Sequence, residues 1–125
     1  MLFRSWQGGR LDLRLQVQWN GVTVGQPSAA EMNFGFGELI AHAARTRRLS
    51  AGTVVGSGTV SNADRAAGSA CIAERRMVEK LEHGEVRSGF MRFGDRVRLQ
   101  ACHADGRAGP FGVIDQRVVQ GGARP

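Results

Sequence analysis

Residues 11–19 alternate without interruption. Leu11, Leu13, Leu15, Val17 and Trp19 fall on one side, and Asp12, Arg14, Gln16 and Gln18 on the other. A period of two over nine residues predicts a half-buried strand, because successive side chains point to opposite faces of a sheet. Asn20-Gly21 follows at once, and Val22-Thr23-Val24 resumes the apolar pattern. Both residues of an Asn-Gly pair tolerate the positive φ that a type I′ turn demands, so a tight hairpin is predicted here. A chain that contains it is committed to antiparallel pairing and to covering one face of the resulting sheet.

The remaining pattern adds one clear helix and several short strands. Over residues 34–48, Phe36, Leu39, Ile40, Ala43 and Ala44 form an apolar stripe at helical spacing. Asn33 is the expected N-cap, and Arg45, Arg47 and Arg48 gather where the helix dipole favours cations. Thr53-Val54-Val55 is expected as a short buried strand and Ser69–Ala73 as a strand end; a helical turn or more is expected within residues 76–83. Glu79, Glu82 and Glu85 step by three, as on a solvated helix face. Val97, Leu99 and Ala101 alternate with Arg96, Arg98 and Gln100, and Asp105-Gly106 is a second turn signal. Phe111–Ile114 and Val118-Val119 suggest a last strand. The class implied is α+β, a β-rich mixed sandwich or roll with one clear helix, folded as a single domain over residues 1–125.

Composition narrows the function classes. With 42% hydrophobic and 22% charged residues, 18 glycines and 3 prolines, the chain has the make-up of a globular domain rich in tight turns. No apolar run reaches the roughly 20 residues that span a bilayer. The opening Met1–Trp6 lacks signal-peptide organisation, so a cytoplasmic location is expected. Cys71 and Cys102 are then expected as thiols. A net charge of +6 raises nucleic acid as a partner. Against it, the arginines are scattered, and no helix-turn-helix, zinc finger or interleaved aromatic stripe accompanies them.

Two places carry candidate chemistry. Gly56-Ser57-Gly58-Thr59 sets glycines around hydroxyls, which lets backbone N–H groups and an OH approach a carboxylate or oxyanion closely. It has neither the Gly-Lys-Ser/Thr of a phosphate-binding loop nor the spacing of a nucleophile elbow, and on spacing alone a plain tight strand-to-loop turn is the favoured reading. Glu74 follows the apolar stretch Ala70–Ala73, and a carboxylate at the end of a buried strand can be partly desolvated; on sequence alone a surface glutamate beside Arg75 and Arg76 is the favoured reading. His42, His83 and His103 share no metal or catalytic spacing, with a contact to Glu38 one turn away sufficient to explain His42. No Glu-x-Glu pair is present, so no complete metal site is expected in this chain.

Residues 34–62, from Phe34-Gly35-Phe36-Gly37-Glu38 to Gly56-Ser57-Gly58-Thr59-Val60-Ser61-Asn62, resemble the bacterial fumarylacetoacetate hydrolase family. Ser69–Glu74, Phe93–Val97 and Phe111–Val119 continue the resemblance in order, over roughly residues 6–119. The resemblance implies the carboxyl-terminal part of a catalytic domain. It implies hydrolysis of a C–C bond in a β-diketo acid of aromatic catabolism, with Mg²⁺ or Ca²⁺ as Lewis acid and a homodimeric enzyme. It places Thr59, with Gly58, at a substrate carboxylate or oxyanion, and Glu74 as the catalytic glutamate that orients a histidine and its water. The family's metal carboxylates and its histidine lie in an amino-terminal half that is absent here. The resemblance therefore implies an enzyme part that works with that half. A non-catalytic dimerisation module of the same family is the competing reading, and a basic nucleic-acid binder is the weakest.

Overall fold

The computed structural model describes residues 2–122. The main sheet is antiparallel and four-stranded. It contains β3 (Arg14–Trp19), β4 (Val22–Gly25), β5 (Arg96–Cys102) and β6 (Ala108–Arg117), in the order β4-β3-β5-β6. A two-stranded ribbon of β1 (Trp6–Gln7) and β2 (Arg10–Leu11) precedes it. Two helices, α1 (Phe36–Ala44) and α2 (Ile72–His83), complete an α+β architecture.

The predicted hairpin is present. Asn20 and Gly21 take φ of 50° and 80°, and Trp19 pairs with Val22. The Asn20 side chain does more than permit the turn. Its amide donates to Asp95 Oδ1 at 2.9 Å and its carbonyl accepts from Arg96 N–H at 2.8 Å, so the turn is pinned to the start of β5. Residues 13–19 then place Leu15, Val17 and Trp19 opposite Ala101, Leu99 and Val97. Ile114 extends this apolar face from β6 through its pairing with Leu99. On the other face Arg96 holds Asp115 through two hydrogen bonds of 2.7 Å. Among the described residues Leu13, Val17, Pro27 and Cys102 are buried apolar side chains, and neither helix lies extensively across the sheet.

Helix α1 is shorter than its periodic region and starts later than Asn33. Its N-cap is Gly35, and Glu38 Oε2 accepts from the Gly35 N–H at 2.7 Å. Glycine is required there because a Cβ would lie 2.9 Å from the Gly8 carbonyl oxygen. Arg10 anchors the approach to the helix by donating to the carbonyls of Met32 and Asn33, and it also pairs with Glu38 at 3.7 Å. Glu38 is thus engaged at the N-terminus of α1, in place of the expected contact with His42.

Two strand expectations are corrected. Residues 53–55 form no strand: Val54 is 93% exposed, and no neighbouring strand offers a ladder to pair with. Ser69–Ala73 is not a strand end. It leads into α2, where Cys71 Sγ caps the helix by accepting from the Glu74 N–H at 3.4 Å. The helical turn or more expected within residues 76–83 is present, as part of a longer helix from Ile72 to His83 closed by Gly84 at φ 77° in the left-handed conformation favoured past a helix end. Glu79 also leaves the solvated face assigned to it. Its side chain is 14% exposed and accepts from the backbone N–H groups of Arg87 and Ser88 at 2.9 and 2.7 Å, and from the Ser88 hydroxyl.

A second device positions the segment before α2. Gly25 and Gly68 form an isolated bridge, Gln26 N–H donates to Ala67 O at 2.7 Å, and Ser69 is buried beneath it. Gly68 has φ 71°, and a Cβ there would meet Val24 O at 2.4 Å. Two backbones approach this closely only when both residues lack side chains.

Candidate active site

Residues 56–62 run as irregular chain alongside the N-terminal end of α2. Asn62 fastens this loop. Its side-chain oxygen accepts from Ser28 N–H at 2.7 Å, and its amide donates to Ser28 O at 2.9 Å. One amide group thereby satisfies both backbone groups of Ser28, as a strand partner would. Ser28 in turn bridges to Arg14 and caps a 3-10 turn at Ala29–Glu31. The loop is tied in this way to β3 and the core.

Ser61 lies next to Asn62 and donates to Glu74 Oε1. The other carboxylate oxygen accepts from Ala70 N–H at 3.3 Å. Thr59 Oγ1 is 4.0 Å from Cys71 Sγ, the same sulfur that caps α2. Thr59, Ser61, Cys71 and Glu74 thus converge on the first turn of α2, where the helix dipole favours a carboxylate. Gly58 supplies the bend, with φ 92° and open space where a Cβ would stand.

In front of this cluster is a groove of about 670 Å³. Met32, Phe36 and Leu39 give it an apolar side, and Thr59, Ser61 and Asn62 a hydroxyl and amide side. An apolar wall facing a few polar groups is the usual make-up of a small-molecule site. Thr59 lines the groove; Glu74 does not, and meets it through Ser61. None of His42, His83 and His103 lines it.

The two site residues singled out from sequence are therefore brought to one place, although Glu74 sits in a helix and not at the end of a strand. Arg75 and Arg76 are not its partners. Arg75 pairs with Glu79 at 3.3 Å, while Arg76 bonds Ser88 O and lies 4.3 Å from the Phe90 ring centre. Ser61, Asn62 and Cys71 are additions from the structure. One signal for them was available: Cys71-Ile72-Ala73-Glu74 has the Ser/Thr-x-x-Glu spacing of a helix start, with a thiol in place of the hydroxyl.

Among the described residues no three His, Cys, Asp or Glu side chains are grouped so as to hold a metal ion. The groove offers hydroxyls, the amides of Asn33 and Asn62 and a single carboxylate, Glu31, and both oxygens of Glu74 are already engaged. That donor set does not fit Mg²⁺ or Ca²⁺, which take carboxylate-rich oxygen shells.

No curated protein matches the chain. A family model does: the one described as fumarylacetoacetate (FAA) hydrolase C-terminal covers residues 3–119. With nearly the whole chain matched, and with its glycine-hydroxyl loop folded against Glu74, the protein belongs to the fumarylacetoacetate hydrolase family, in that family's C-terminal part.

Proposed function

We propose that this chain supplies the substrate-binding side of a fumarylacetoacetate-hydrolase-type site that cleaves a C–C bond in a β-diketo acid. The observation that carries the reading is the meeting of the Thr59 loop with Glu74, through Ser61 and Cys71, beside a half-apolar groove. The family is in general divalent-metal-dependent. Carboxylates outside the described residues hold the ion in this reading, in an amino-terminal half or a partner chain, and the working enzyme is a cytoplasmic homodimer.

In the reaction, water oxygen adds to one carbonyl and the C–C bond breaks. Its electron pair passes to the departing carbon as an enolate, which takes up a proton to leave a ketone beside the new carboxylate. Thr59 Oγ1 and the backbone at Gly58 bind the substrate carboxylate or the developing oxyanion. The apolar wall at Met32 and Phe36 holds the carbon chain and excludes water. Glu74, fixed by Ser61 and the Ala70 N–H, orients the group that activates water.

The test uses the chain assembled with a metal-binding half of the family, with loss of diketone absorbance as the assay. Thr59→Val is expected to lower turnover about 100-fold with the melting temperature unchanged, the usual loss for one oxyanion donor. Glu74→Gln, which keeps an oxygen acceptor, is expected to lower it at least as far. Full turnover in both variants would overturn the assignment. It would favour the second reading, a non-catalytic module of the same family, which the large uncovered surface described below also supports.

A further inference from the structure

Glu74 is half-buried and does not line the groove, whereas Ser61 is exposed and does. The Ser61 hydroxyl joins the two by donating its proton to Glu74 Oε1. Glu74 Oε2 is turned to the approach to α2, where it accepts from Ala70 N–H at 3.3 Å. A serine hydroxyl has one donor and two acceptor positions. With the donor spent on Glu74, Ser61 has only acceptor positions left for the groove. A water there meets it by donating a proton.

The hydroxyl is also held in place. Asn62, the next residue, is fastened to both backbone groups of Ser28 at 2.7 and 2.9 Å. From the other side, the cap at Cys71 fixes the backbone of Glu74. Thr59, two residues before Ser61, lines the same groove and reaches the same cap. A carbonyl oxygen bound at Thr59 and a water bound at Ser61 are therefore neighbours on one short segment. Among the described residues no histidine lines the groove, and Arg75 and Arg76 are engaged elsewhere. The Ser61 hydrogen bond is the one link among them that leads from the Glu74 carboxylate into the groove.

We propose that Ser61 is a proton relay between the attacking water and Glu74. This deepens the reading above and rests on it: there Glu74 orients the group that activates water, and here that group is the Ser61 hydroxyl. Water gives a proton to Ser61 Oγ as the Ser61 proton passes to Glu74 Oε1. The water oxygen, left as hydroxide, adds to the carbonyl carbon. The C–C bond then breaks, and its electron pair goes to the departing carbon. The proton on Glu74 returns through Ser61 to that carbon. Carboxylate and hydroxyl are both restored, and no further acid or base is consumed.

The experiment follows single turnovers of the chain assembled with a metal-binding half, in mixtures of H2O and D2O. Two protons move in one step, so the rate of the parent chain is expected to fall along a curve as D2O rises. Ser61→Ala is expected to lower kcat about 100-fold, a usual loss for an acid–base group, with KM within about twofold and the curve lost. Ser61→Thr, which keeps a hydroxyl, is expected to recover turnover to within about tenfold of the parent. Ser61→Ala with Glu74→Gln is expected to be no slower than Glu74→Gln alone, because the two groups act as a unit. Thr59→Val and Glu74→Gln separate the relay from the reading beneath it. If both are slow while Ser61→Ala keeps full turnover, or slows with its solvent curve unchanged, the relay is overturned and the reading stands. Full turnover in all three single variants overturns both.

Discussion

Asn62 contributes one side chain and satisfies two backbone groups of Ser28. Asn62→Ala strands a part-buried N–H and C=O together, and the expected loss is about 2 kcal/mol, read by urea unfolding. Asn62→Asp keeps the acceptor and should fall between the two. Glu79 is held by Ser88 first, through side chain and backbone, and its pKa is lowered from 4.5 to about 2. A carboxyl whose folded value is depressed contributes stability above its unfolded value, and that contribution fades as pH falls from about 4.5 toward 2. Acid titration of the unfolding midpoint should therefore be flatter in Glu79→Gln over that window; parallel curves would mean that the clamp is not formed. Neither pairing is legible in sequence. Asn62 bonds a residue 34 positions away, and Glu79 is met by a loop that returns after the helix ends.

Elements were legible where their signals are local. The β3–β4 hairpin follows from an alternating run and an Asn-Gly pair, and α1 from its apolar stripe. Helix α2 was largely hidden, because Arg75, Arg76, Glu79 and Lys80 leave it no strong stripe and its cap is a thiol. Its end is a glycine at positive φ, so Gly84→Ala should destabilise the protein by about 1 kcal/mol in thermal melts, with Gly89→Ala, outside any helix, close to neutral. The apolar run at residues 53–55 misled for the complementary reason: β-branched residues make a strand only when a ladder partner is present.

At the scale of the molecule, much apolar surface is uncovered. Phe34, Phe90, Phe93 and Phe111 are all exposed, which exceeds what isolated soluble domains usually show. The isolated chain should bind the dye ANS strongly, and a partner that covers these residues should abolish most of that signal. Saturating Mg²⁺ or Ca²⁺ should leave its melting temperature within about 1 °C of the metal-free value, since a ligand that binds only the native state raises stability with its concentration. A shift of several degrees would reveal a metal site among residues that form no such cluster here.

Family membership and the Thr59 loop were readable from order and spacing along the chain, because turn chemistry and strand periodicity act between near neighbours. The joining of that loop to Glu74 was settled only in three dimensions, through Ser61, a helix cap at Cys71 and two glycines, Gly25 and Gly68, that let distant backbones touch. Hydrogen bonds across such separations depend on where the sheet carries each segment, and no local pattern records that. The hairpin from which the sheet grows was therefore evident at once, while the groove it helps to position, and the bare outer edge of β6, became visible only in the folded chain.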